Sequence, residues 1–139
     1  MNDKDKQAFI LYGSIAAVLG FASKLLYRPW IVSNALNDYG VQGFAPSFFY
    51  VAGACLLVVG FGSKNQVKDM LYAAAGATVY EVSQYFTSMT FDFKDLLAIA
   101  AGLGVALLLR KTILQRSCQN LINASDEDNA TTDFQSIKT

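Results

Sequence analysis

The chain has 139 residues, 53% of them hydrophobic and 16% charged, with a mean hydropathy of +0.31 and a formal net charge of zero. Soluble domains carry about 25% charged residues, and the apolar residues here are gathered into runs, so an ordinary soluble globule is excluded as the first reading. Zero net charge leaves no basic surface for nucleic acid. The absence of histidine, with only two distant cysteines, Cys55 and Cys118, removes histidine catalysis, haem ligation and a zinc site, and no metal or cofactor is expected.

"NDKDKQ" is a short polar lead of mixed charge, followed by the first apolar run at residues 8–27. The run is longer than a signal-peptide core and ends in "SKLLYRPW" without a small-residue cleavage site, so it is expected to stay as a span. Further runs fall at residues 46–62, 70–86 and 93–109. Each approaches the roughly 17–25 apolar residues that a helix needs to cross a bilayer. The predicted fold is therefore all-α, a four-helix transmembrane bundle over residues 1–116. Small residues at spacings of three and four (Gly13, Ala17, Gly20; Ala73, Gly76, Ala77; Ala98, Gly102, Ala106) permit close helix approach in lipid, within one chain or between copies in a homo-oligomer.

Between the first two runs, the segment 28–45 ("RPWIVSNALNDYGVQGFA") is long for a small bundle. It is predicted as an interfacial outer loop, with Pro29 opening a short helix, Gly40 ending it and Pro46 at the first position of the second span. Asn37 and Asp38 are expected in a turn. Residues 117–139 ("SCQNLINASDEDNATTDFQSIKT") are polar and predicted to form a disordered cytoplasmic tail. Eight of the eleven basic residues fall on the side holding both termini in a four-span arrangement, which predicts a multi-pass protein of the cell membrane with both termini in the cytoplasm.

The chemistry concentrates in "YEVSQYFTSMTFDFKDLLAIAAG", residues 80–102. Glu81 and Gln84 share a helix face, and Glu81 lies about 9 Å inside the outer end of its run at 1.5 Å per residue. A carboxylate at that depth costs several kcal/mol unless paired or wetted. It is therefore expected to face the bundle interior, as a ligand or proton site or in a buried pair with Lys24 or Arg28. Asp92 suits an N-cap of the fourth helix, and Asp95 lies on the same face as Ala98 and Gly102, toward the neighbours. Arg28 either anchors an anionic group or snorkels to lipid.

The order Glu81-x-x-Gln84, an aromatic stretch, Asp92-x-x-Asp95 and Gly102 resembles the signature half of the VanZ-like family of small membrane proteins, over about one sixth of the chain. The resemblance implies four to five spans, polar residues on the outer side and a link to glycopeptide resistance in the cell envelope. The family's arginine position falls on Met89 and its asparagine on Ile99. The site read from the sequence is Arg28, Glu81, Gln84, Asp92 and Asp95, forming an outward-facing polar pocket for the head group of a lipid-linked or glycopeptide-like ligand. A membrane enzyme using Glu81 and Asp95 as acid and base, and a small dimeric proton-coupled exporter, are the competing readings.

Overall fold

A computed structural model describes the backbone of residues 1–38, 40–85 and 93–136, and their side chains except at 84, 85, 121 and 124–136. The described residues form helices joined by turns: α1 (Asp3–Ala22), a π-helical turn (Ser23–Tyr27), α2 (Arg28–Ser33), α3 (Val41–Gly60), α4 (Gln66–Tyr85) and α5 (Phe93–Ser136). Three stretches are long and apolar enough to cross a membrane: Asp3–Ser33, Val41–Gly60 and Phe93–Asn120. α4 carries Lys68, Asp69 and Glu81 and is not among them, although its 20 residues equal α3 in length.

α1 begins five residues before the apolar run because Asn2 caps it. The Asn2 side chain accepts from the amide of Asp3 at 2.7 Å, and Asp5 reaches back to the Asn2 amide at 3.2 Å, completing a capping box. At the other end the expected loop is replaced by helix. The first helix continues through Arg28 to Ser33, and α3 starts at Val41, so helix takes up much of the expected loop. The π turn explains how Pro29 is tolerated. In a straight α-helix its ring collides with a carbonyl one turn back and its missing N–H leaves that carbonyl unbonded. Here the Arg28 amide bonds the Ser23 carbonyl five residues earlier, which widens the turn just ahead of the ring.

Gly40 does not end a helix but opens α3, with φ +91°. Asp38 holds that start: its carboxylate accepts from the Gly40 amide at 3.1 Å and the Gln42 amide at 2.6 Å. Pro46 consequently lies inside α3 and not at its first position. Over residues 117–136 α5 runs on as helix to Ser136. Extending an existing helix fixes one residue per bond and avoids the costly nucleus.

α3 is the central helix, packed most extensively on α1 and then on α5, while α4 rests against α3 and α5. Glycines set the close approaches. A Cβ on Gly13 would stand 2.8 Å from Leu57 Cγ, one on Gly53 3.0 Å from the Ala17 amide nitrogen, and one on Gly102 2.6 Å from the Phe48 carbonyl oxygen. Ala98 and Ala106 are buried beside Gly102 on α5. On α4, Ala73 and Ala77 pack against the core, but Gly76 is exposed, with nothing within 4 Å of a Cβ placed there.

The largest fully buried side chains, Phe9, Cys55, Leu56, Val59 and Met70, gather toward one end. That end also joins Met1, Gln66 and Arg110: Arg110 Nε donates to Gln66 Oε1 at 2.8 Å, and Gln66 Nε2 approaches Met1 Sδ at 3.6 Å. The helices thus alternate in direction. The N-terminus and the residue where α5 leaves the apolar region share one end, and residues 24–38 and 40–43, Glu81 and Asp95 occupy the other.

Candidate functional site

The end remote from the termini contains a cavity of about 680 Å³, within the roughly 300–1,000 Å³ of small-molecule pockets. Its walls come from four parts of the chain. The first helix supplies Lys24, Arg28 and Val32, each four residues from the last, so the π turn and α2 present one continuous stripe to the space. α3 supplies the segment around Gln42 and Ser47, α4 supplies Ala77, Tyr80 and Glu81, and α5 supplies Asp95 and Ile99. The backbones of the first helix and α4 do not approach each other closely among the described residues, and the cavity lies between side chains from both.

Charge is segregated across this space. The cations Lys24 and Arg28 stand on the first helix, and the acids Glu81 and Asp95 on α4 and α5. Ser47, Asp95 and Lys24 are all near enough to Glu81 to act on its carboxylate. The expected ion pair of Glu81 with Lys24 or Arg28 is not formed: neither cation makes an ion pair or hydrogen bond with a described residue. Lys24, Arg28 and Glu81 line one cavity from different helices without coming within ion-pair distance. Asp95 reaches α3, its Oδ1 lying 3.8 Å from where a Cβ on Gly43 would be, and that oxygen is shut off from solvent.

Of the residues singled out by sequence, Arg28, Glu81 and Asp95 are brought together. Gln84 belongs to the last turn of α4, its side chain being outside the description, and Asp92 lies outside the described residues. The 28–45 segment does wall the cavity, but as helix ends and not as a loop laid over it.

Sequence reasoning missed Gln42 and Ser47. Gln42 Oε1 is buried and has no hydrogen-bond partner among the described residues. A signal for it existed in the single amide between Gly40 and Gly43, but it was hidden because the helix was expected to start at Pro46. Ser47, one residue past that proline, was hidden for the same reason. Among the described residues no group of three or more histidine, cysteine or acidic side chains is placed to hold a metal ion.

Comparison with protein-family models, with curated proteins and with solved structures returns no match.

Proposed function

We propose that this chain is a VanZ-like protein of the cell membrane, a four-span bundle with both termini in the cytoplasm, that receives the polar head of an envelope amphiphile in the cavity at its outer end. The observation that carries this reading is the placement of two cations, Lys24 and Arg28, which make no ion pair with a described residue, in one cavity with Glu81 and Asp95. A cation inside or at the edge of a bundle costs free energy unless an anion or water meets it. A head group entering between the first helix and α4 supplies the anion and leaves its chains in lipid. The order Glu81-x-x-Gln84 and Asp92-x-x-Asp95 supports the family reading, and Arg28 takes the place of the positive charge that falls on Met89.

The test is amphiphile retention. Wild-type protein and Arg28→Gln are purified in mild detergent, and bound lipid-like molecules are extracted and quantified against thermal stability. The reading expects a stoichiometric amphiphile on the wild type, about tenfold less on the variant for the loss of a charge-assisted contact, and the same Tm for both. Equal retention by the two proteins overturns it.

A further inference from the structure

The two sides of the cavity ask for different things. On the first helix, an ammonium and a guanidinium present donors that no described residue accepts. Across the space, the groups are acceptors: the Glu81 and Asp95 carboxylates, each with other partners already, and the Gln42 amide, whose buried Oε1 has no hydrogen-bond partner among the described residues. A purely anionic head satisfies the first side and is repelled by the second. A neutral sugar offers hydroxyls to both but neutralises neither. A head that carries an anionic group at one end and a primary ammonium at the other satisfies both, because an ammonium has three N–H donors and no acceptor, matching three acceptor groups.

We propose that the cavity selects a zwitterionic head group in which a primary amine and a phosphate or carboxylate are joined by a short linker. The anionic end lies on Arg28 and Lys24, and the ammonium end on Gln42, Glu81 and Asp95. This rests on the head-group reading above and narrows it to a ligand class. A quaternary ammonium such as choline fits the charge pattern but has no N–H to give Gln42, so it is discriminated against by hydrogen bonding and not by charge. Ser47 lines the same space beside Glu81.

The experiment is competitive lipid binding, read by native mass spectrometry of delipidated protein titrated with phosphatidylethanolamine, phosphatidylcholine or phosphatidylglycerol of identical chains. The proposal expects the wild type to retain phosphatidylethanolamine about tenfold more than either competitor. Gln42→Leu is expected to erase the preference over phosphatidylcholine. Glu81→Gln is expected to raise phosphatidylglycerol retention, by removing a repelling charge, toward that of phosphatidylethanolamine. Arg28→Gln is expected to weaken all three, and Arg28→Lys to restore part of the loss. Free phosphoethanolamine displacing the lipid supports the same chemistry with chains dispensable; failure to displace it alongside selective lipid retention supports it with chains required. Retention that depends on Arg28 but is indifferent to the amine overturns the zwitterion proposal and leaves the head-group reading standing. Retention of no lipid above the level of Arg28→Gln overturns the head-group reading itself.

Discussion

Gly102 of α5 is pressed against the backbone of α3 so closely that a Cβ there would lie 2.6 Å from the Phe48 carbonyl oxygen and 3.3 Å from the Ala52 amide nitrogen. Both are main-chain atoms of a helix and cannot rotate away. Gly102→Ala is expected to part α3 from α5 and cost about 1–3 kcal/mol, the usual range for overpacking. Gly76→Ala is the matched control: it meets nothing within 4 Å and gains up to about 1 kcal/mol of helix propensity. Thermal unfolding of the two variants in one detergent checks the pair, and equal shifts would contradict the packing.

Gly40 starts α3 at φ +91°, and a Cβ added to it would stand 2.9 Å from Lys94 Nζ. The lysine end can move, but the backbone conformation cannot be adopted cheaply by another L-residue. Gly40→Ala is expected to cost about 1–2 kcal/mol. Because Gly40 and Gln42 wall the cavity, amphiphile retention is expected to fall with it. A variant as stable as the wild type would show that the start of α3 is held differently.

The proposed orientation, with both termini in the cytoplasm, puts Cys118 on the inner side. It is exposed, while Cys55 is buried, its thiol approaching the Met70 carbonyl at 3.5 Å. A membrane-impermeant maleimide is expected to label Cys118 in inverted vesicles and not in intact cells. Labelling in intact cells falsifies the proposed orientation and moves the cavity to the cytoplasmic face.

Met70 is fully buried at the end away from the cavity. Met70→Ala is expected to destabilise the fold by about 2–5 kcal/mol while leaving head-group selectivity unchanged at temperatures where the protein is folded. A change in selectivity would mean that the two ends are coupled.

The helical architecture was legible because apolar runs of near-span length leave few alternatives, and the small-residue spacing correctly marked Gly13, Gly20, Ala98, Gly102 and Ala106 as packing positions. On α4 the spacing holds for Ala73 and Ala77, which pack against the core, and fails at Gly76, which meets nothing within 4 Å. The limits of the 28–45 segment were misread for a local reason. Pro29 and Pro46 look like helix starts, yet a π turn accommodates one and the Asp38 cap begins α3 ahead of the other. That misreading concealed Gln42 and Ser47. Glu81 and Asp95 stood out because carboxylates beside apolar runs are costly, and Arg28 because few other cations share its end of the chain.

The central claim is that a head group bridges the first helix and α4 across the cavity. The most direct measurement is a structure determined in native lipid. The account predicts density for a polar head within hydrogen-bond distance of Arg28 on one side and of Gln42 or Glu81 on the other, with its chains leaving between the two helices. A cavity closed by direct pairing of Arg28 or Lys24 with Glu81, with no head-group density between them, would contradict it.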